Sequence, residues 1–268
     1  MFRLDGKVAV ITGAGGMICS RLASDLAGVG ASVALLDLSL ERAQSAADLV
    51  SKNGGVSIAV EADVLSSESI ERAKETVLSK FGKIDFLING AGGNHPKSTT
   101  GPEQSFFDLP ADAIKWVFDL NFIGTVLPTQ VFGRLMAEQK SGGIINIASM
   151  ASFRPLTKVL AYSASKAAIV NYTRWMAVHF CQNYSPEIRV NAIAPGFLLT
   201  EQNRFLLQNE DGSLTARGSS VIGSTPMARF GNPEEMSGAV IYLCSDAAAF
   251  VTGIVLPIDG GFDAFSGV

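Results

Sequence analysis

Tyr162 and Lys166 stand four residues apart in Tyr162-Ser163-Ala164-Ser165-Lys166, so on a helix a phenol and an ammonium share one face. A free phenol titrates near roughly 10 and is a poor base at neutral pH, whereas an adjacent cation stabilises the phenolate and is expected to lower that value. Such a tyrosine can exchange a proton with a substrate oxygen. A Tyr/Lys pair at this spacing is common by chance, and its meaning depends on what converges on it. Ser149 follows the aliphatic run Ile144 to Ile147, and Asn89 follows Phe86 to Ile88, so both are expected at the carboxyl edge of a sheet. Taken singly, Ser149 reads as a turn or cap residue. Asn121, between apolar helical residues, reads by default as a core asparagine bonded to backbone.

The first apolar run, Val8 to Ile11, leads straight into Thr12-Gly13-Ala14-Gly15-Gly16-Met17-Ile18-Cys19 and then a helix-length segment. In that context glycines let the backbone approach a pyrophosphate, which then faces a helix N-terminus. A glycine cluster alone is an ordinary turn; its place after the first strand gives it weight. Asp37 ends the second run, where a carboxylate reaches an adenosine ribose diol and repels a 2′-phosphate. Ser39 is the better N-cap for the next helix and leaves Asp37 available. With no Lys or Arg among residues 14–17 or at Leu38, NAD is expected over NADP. Asp63 and Val64, after the third run, are candidates for an adenine contact, with capping as the alternative for Asp63.

The elements that must position these groups are visible as seven runs: Val8 to Ile11, Ser32 to Leu36, Val56 to Val60, Phe86 to Ile88, Ile144 to Ile147, Arg189 to Ala192 and Val255 to Ile258. They are nearly all apolar rather than alternating, which indicates strands buried on both faces of a parallel sheet. Amphipathic segments such as Leu40 to Ser51 and Ser67 to Phe81 lie between them. The order predicts a doubly wound α/β sheet of about seven parallel strands with helices on both faces. No repeat, low-complexity tract or linker divides residues 1–268, so a single domain is expected. Residues 197–227, between Pro195-Gly196 and the last helix, are long enough for a substrate lid.

At 47% hydrophobic and 17% charged, with net charge -4, the composition is that of a compact globular protein without a broad basic surface. Nucleic acid and membrane partners are therefore not expected, and a small-molecule substrate is. Cys19, Cys181 and Cys244 are odd in number and widely spaced, which suits a reducing compartment and points to neither disulfides nor a metal. The polar start, Met1 to Lys7, and the short run after it match neither a signal peptide nor a membrane span. A cytoplasmic location is expected.

In order and spacing these residues resemble the short-chain dehydrogenase/reductase family over nearly the whole chain, from the Thr12 turn to Asp259-Gly260-Gly261. The matching pieces are the glycine turn, Asp63, Asn89-Gly90-Ala91-Gly92, Asn121, Ser149, Tyr162 with Lys166, and Pro195-Gly196 with Thr200. The resemblance implies a Rossmann-type fold and an NAD-dependent oxidoreductase acting on a CH-OH group. It implies that Tyr162 is the general acid/base, that Ser149 bonds the reacting oxygen, and that Lys166 lowers the tyrosine pKa and holds the nicotinamide ribose. Asn121 would position a water that passes protons to Lys166. NAD would be held by Gly13, Gly15, Gly16, Met17 and Ile18 at the turn and by Asp37, Asp63 and Val64 at the adenosine. Asn89, Ala91 and Gly92 would join Tyr162 and Lys166 farther along. Pro195, Gly196 and Thr200 would lie at the nicotinamide, with Ile193 and Thr200 orienting its carboxamide. A homotetramer is also implied, with apolar Phe250 to Phe265 as covered surface.

Two departures from the family pattern stand out. Met17 and Cys19 replace the second and third glycines of its commonest turn, so Cys19 should push the first helix off the sheet or face a small residue. Gly90 replaces an asparagine, which removes a side-chain tie between strands. The stretch Ile88 to Lys97 and the Gly-Gly-Met-Ile-Cys turn are similar to the D-mannonate oxidoreductase (fructuronate reductase) branch, which implies a sugar-acid substrate. Asn94, His95 and Lys97 leave the sheet at its active edge, and Arg154 and Lys158 lie between the serine and the tyrosine. Asn94, His95, Lys97, Ser149 and Arg154 are thus candidate substrate contacts, and Arg204 and Arg217 would ride on the lid. Singly, Lys97, Arg154 and Lys158 read as solvated charges. The alternatives are gluconate 5-dehydrogenase or another polyol dehydrogenase, a 3-oxoacyl thioester reductase, and a non-catalytic NAD-sensing protein. The last would be expected to have lost Tyr162 or Lys166.

Overall fold

Five consecutive buried residues form β1 (Val8–Thr12), an inner strand of the sheet. The computed structural model describes residues 1–200 and 203–267. β2 (Ser32–Asp37), β3 (Val56–Glu61), β4 (Phe86–Asn89), β5 (Gly142–Ile147), β6 (Ile188–Pro195) and β7 (Val255–Ile258) complete one sheet in the order β3-β2-β1-β4-β5-β6-β7. Every pairing is parallel. All seven expected runs are strands, with β6 extended as far as Pro195. Burial on both faces holds for the inner strands only. Val56 in β3 is 55% exposed and β7 is partly covered, because an edge strand has a neighbour on one side.

The helices are α1 (Met17–Gly28), α2 (Leu40–Lys52), α3 (Ser67–Phe81), α4 (Ala111–Phe118), α5 (Gly124–Gln139), α6 (Leu160–Asn183), α7 (Arg204–Leu207), α8 (Ala216–Gly223) and α9 (Ser237–Cys244). α1, α2 and α9 bury Leu22, Val50 and Leu243 in the core on one face of the sheet. α3, α5 and α6 bury Val77, Phe132 and Phe180 in the core on the other. Hydroxyl caps start three of the helices: Ser39 accepts from the Arg42 amide, Ser66 from the Ser69 amide and Thr215 from the Gly218 amide. α1 is different, because its N-cap, Gly16, offers no side chain and the first turn holds no acid. Its leading amides stay unpaired by the chain and open toward the sheet edge. Among the described residues no helix is long and apolar enough to cross a membrane.

The strand order reverses between β1 and β4, which opens a crevice at their carboxyl ends. Register aligns Thr12 with Asn89 and Asn89 with Asn146, so the loops after these strands emerge together. Thr12 Oγ1 accepts from the amides of Gly90 (3.1 Å) and Ala91 (3.3 Å) and ties the two turns. Asn89 corrects an expectation. Its Nδ2 donates to Asn146 Oδ1 (2.9 Å) and Thr129 Oγ1 (3.0 Å), so this side chain fastens β4 to β5 and α5 inside the core and is not among the residues lining the crevice, with its Oδ1 buried and unpartnered.

The two departures of the glycine turn prove to be one exchange. A Cβ at Gly90 would stand 2.1 Å from Cys19 Sγ and 2.9 Å from Thr12 O. The thiol occupies the volume that a larger residue 90 would need, so the small facing residue required by Cys19 is Gly90. Burial pushes the Cys19 thiol up to about 12, and it packs as a small apolar group. Gly90→Ala should therefore cost about 2 kcal/mol by overpacking, and Cys19→Ala in the same chain should recover part of that loss. Urea unfolding of the two single variants and the double variant should give a coupling of about 0.5 kcal/mol or more. Strictly additive losses would refute the pairing.

Candidate active site

The crevice is a cleft of about 850 Å³. At one end Gly13 takes φ 63°, and a Cβ there would stand 2.7 Å from Ala91 Cα, so both backbone conformation and close approach require glycine. Gly13, Gly16, Met17 and Ile18 line this end, with the uncapped start of α1 beside them. Free amides and the positive end of the helix suit an anion such as a pyrophosphate. The buried Asp37 carboxylate follows, with Asp63 and Val64 beyond it. A close-approach glycine, an uncapped helix end and a held carboxylate in sequence fit a dinucleotide.

Several side chains at this end differ from their expected roles. Gly15 does not line the cleft; its amide donates to Asp37 Oδ2 (2.9 Å) and so shapes the turn. Asp37 Oδ1 accepts from the Ser39 amide (3.1 Å), which aims the carboxylate. Asp63 Oδ1 accepts from the Leu65 amide (2.9 Å), the capping reading, and the residue also lines the cleft. Arg42 was not singled out by sequence. It too lines the cleft, and a Cβ at Gly15 would stand 3.1 Å from Arg42 Nε and 3.0 Å from Asp37 Oδ2. A cation therefore lies beside Asp37. The signal was its place in the first turn after the Ser39 cap, which folds it back over the glycine turn.

Farther along, Ser149, Tyr162 and Lys166 line the cleft together. As the spacing predicts, Tyr162 and Lys166 share one face of α6, with Nζ 5.9 Å from the ring centroid. Ser149 stands close enough to the phenol to pull its pKa down, and its Oγ accepts from the Ala151 amide (3.1 Å). Lys166 is 6% exposed, and its Nζ donates to Ile147 O (2.7 Å). A Cβ at Gly92 would stand 2.6 Å from Asn121 Oδ1 and 3.3 Å from Lys166 Nζ, so Gly92, Asn121 and Lys166 meet. Asn121 lies in a π-helical turn, Asp119–Ile123. Its Nδ2 donates to Gly93 O and Val117 O, both at 2.7 Å, and its Oδ1 accepts from the Gly93 amide. Both amide hydrogens are in use, so the side chain holds backbone, as the default reading has it.

Electrostatics corrects a second expectation. Burial pushes the Tyr162 phenol up, with Ser149 pulling it partly back. Burial also weakens Lys166, to about 8, while the Ile147 carbonyl holds its ammonium. In the protein alone, desolvation outweighs the attraction between the pair.

A sequence model of the family described as enoyl-(acyl carrier protein) reductase matches residues 13–263. The chain belongs to the short-chain dehydrogenase/reductase family. It is 49% identical to an uncharacterized oxidoreductase, UxuB, of Bacillus subtilis, over 99% of this chain and 98% of that one. It is 36% identical to 5-keto-D-gluconate 5-reductase of Escherichia coli, over 97% of each chain. A crystal structure of a Haemophilus influenzae protein with bound NAD, provisionally called a D-mannonate oxidoreductase, superposes with a TM-score of 0.93. It is 46% identical over 99% of this chain and 98% of that one. The protein is thus an NAD(P)-dependent oxidoreductase acting on alcohol or keto groups.

In this dehydrogenase Pro195, Gly196 and Thr200 line the cleft after β6, and Thr200 N donates to Asn203 Oδ1 (2.8 Å). Ile193 does not line it; the residue is fully buried and its carbonyl accepts from Ala148 N (2.9 Å). Of the expected substrate contacts, Asn94 and Ser149 line the cleft and His95, Lys97 and Arg154 do not. His95 Nδ1 accepts from the Lys97 amide (3.1 Å) and its ring packs on Trp116. Lys97 is exposed. Arg154 Nε donates to Asp263 O (2.8 Å) and Oδ1 (3.3 Å), which ties it to the C-terminal segment. Arg204 and Arg217 are also absent from the lining, and Glu201 and Gln202, within the segment expected to be a lid, lie outside the described residues. Trp116 and Asn203, which sequence reasoning passed over, line it instead.

Burial of Lys166 has a measurable cost. Its folded value, about 8 against an ordinary 10.5, lies below the unfolded one, so the unfolded chain binds more protons between these pH values and stability rises with pH there. Below pH 8 the free protein should carry the full penalty, on the order of 3 kcal/mol. The stability advantage of Lys166→Met over wild type should therefore be largest below pH 8 and shrink toward pH 10.5. Chemical unfolding across that range checks it, and a constant difference would contradict a weakened ammonium.

Proposed function

We propose that the enzyme interconverts a hydroxyl and a keto group on a six-carbon sugar acid with NAD, with D-mannonate oxidised at C5 to D-fructuronate or the reverse. The observation that carries the reaction type is the convergence of Ser149, Tyr162 and Lys166 in the dinucleotide-shaped cleft. The substrate class is supported by the names of the Haemophilus influenzae and Escherichia coli relatives. Bound NAD supplies the two-electron acceptor. In oxidation Tyr162, as phenolate, takes the hydroxyl proton, Ser149 hydrogen-bonds the same oxygen, and the Lys166 ammonium stabilises the phenolate. In reduction the phenol returns that proton. Asn121 holds the Gly93 backbone beside this group. One observation favours a second reading, a neutral polyol. Away from the dinucleotide end, the cleft is lined by no cation other than Lys166 beside Tyr162 among the described residues.

For the cofactor, Asp37 supports NAD by repelling a 2′-phosphate, and Arg42 narrows that margin by placing a cation next to it. We also take the enzyme to be a tetramer in the cytoplasm, since Phe250 is fully exposed and Trp175 and Val178 on α6 are each 57% exposed. Residues 197–227 serve as the lid of a single domain.

Tyr162→Phe keeps the ring and removes the exchangeable proton, so NAD binding should survive while turnover falls by about a hundredfold or more. Near wild-type turnover would remove Tyr162 from the mechanism. Asp37→Ser should raise kcat/KM with NADP by about tenfold or more, and adding Arg42→Ala should abolish that gain. Equal NADP use by Asp37→Ser with and without Arg42 would show that the arginine does not reach the phosphate. Assaying D-mannonate, D-gluconate and xylitol with NAD decides the substrate class. Activity on xylitol alone would replace the sugar acid with the polyol.

A further inference from the structure

The mechanism above makes no use of Trp116, yet this residue forms part of the cleft with Ser149 and Tyr162. α4 buries Ala113 and Val117 against the protein, while Trp116 on the same helix is 44% exposed. Its indole carries a large apolar surface and one N–H donor. It is also braced. The His95 ring meets it edge-on, with centroids 5.3 Å apart and planes at 67°. His95 is fixed in turn, because its Nδ1 accepts from the Lys97 amide at the start of the helical turn Pro96–Ser98. The indole is therefore oriented before any substrate arrives, at the entropic advantage of a preorganised surface.

The other residues lining the cleft away from the dinucleotide are neutral, with amides at Asn94 and Asn203 and apolar groups at Leu120, Leu156 and Phe197. The basic residues of the cleft, Arg42 and Lys166, stand at the Asp37 carboxylate and at the Tyr162 phenol. A flat apolar face with amide groups in the same cleft matches a chain of CHOH units. The C–H edge of such a chain can lie on the ring while its hydroxyls turn to the amides.

We propose that Trp116, held edge-on by His95, is the platform that selects a polyhydroxy carbon chain, so that His95 acts through the indole and touches no substrate. This rests on the reading of the site as one for a sugar acid or polyol, and it names the surface that recognises the chain.

Steady-state kinetics of wild type, Trp116→Ala, Trp116→Phe and His95→Ala with NAD and D-mannonate, D-gluconate or xylitol test it. Trp116→Ala should raise KM for the polyhydroxy compound by about tenfold, and Trp116→Phe should keep it within about threefold of wild type. His95→Ala should fall between them, and KM for NAD should stay unchanged throughout, which a general loss of fold would not allow. Intrinsic fluorescence gives a readout without turnover. The other tryptophan, Trp175, is stacked on His179 on α6, so quenching by D-mannonate or xylitol should be present in wild type and absent in Trp116→Phe. A KM for Trp116→Ala within about twofold of wild type, or quenching that persists in Trp116→Phe, would overturn the platform. Activity on xylitol but on neither acid would defeat the sugar-acid reading and leave the platform tested on xylitol. Activity only on compounds without a polyhydroxy chain, such as 3-oxoacyl thioesters, would defeat both.

Discussion

The turns after β1 and β4 touch, and the site depends on that contact. Gly13 lies against Ala91, Thr12 Oγ1 accepts from two amides of the facing turn, and Cys19 fills the space in front of Gly90. Because the strand order reverses at this place, the helix after one turn and the loop after the other diverge and leave the cleft between them. Holding the turns this close brings the uncapped start of α1 to the same edge as the loops from β4, β5 and β6. Cys19 and Gly90 keep that spacing with their sizes exchanged relative to the family pattern, as expected where volume rather than residue identity limits packing.

The proton-transfer group sits in surroundings that oppose its charge. Tyr162 and Lys166 are both desolvated, and each is moved toward its neutral form, the phenol upward and the ammonium downward. Such a pair is costly in the free protein and gains value when further charge and hydrogen-bonding groups enter the cleft. Strain of this kind is common where reactivity is set by burial. The lysine's bond to Ile147 O holds its ammonium in place meanwhile.

Many polar residues near the cleft are occupied by the protein itself. Gly15 and Asp37 bond each other, Asn121 pairs with the Gly93 backbone, Asn89 binds Asn146 and Thr129, and Arg154 reaches Asp263. Loops at the end of a parallel sheet bring unpaired amides and carbonyls into partly buried space, and nearby side chains satisfy them. What remains for ligands is smaller and differently placed than the inventory of polar residues suggests. It includes the α1 amides, Asp37 with Arg42, the Ser149–Tyr162–Lys166 group, and a wall containing Trp116.

Periodicity and spacing by themselves determined the strands, the sheet class and the shared helical face of Tyr162 and Lys166, because these depend on local geometry of the backbone. The same is true of the Ser39 cap, which needs only neighbours in the chain. Tertiary structure decided which polar side chains stay available, since that depends on partners far away in sequence: Asp263 for Arg154, Gly93 for Asn121, Asn146 for Asn89. It also decided that burial outweighs the lysine at Tyr162, that Arg42 returns to Asp37, and that Cys19 and Gly90 compensate each other. Desolvation and steric fit are properties of the packed volume around a residue, and a linear pattern does not specify that volume.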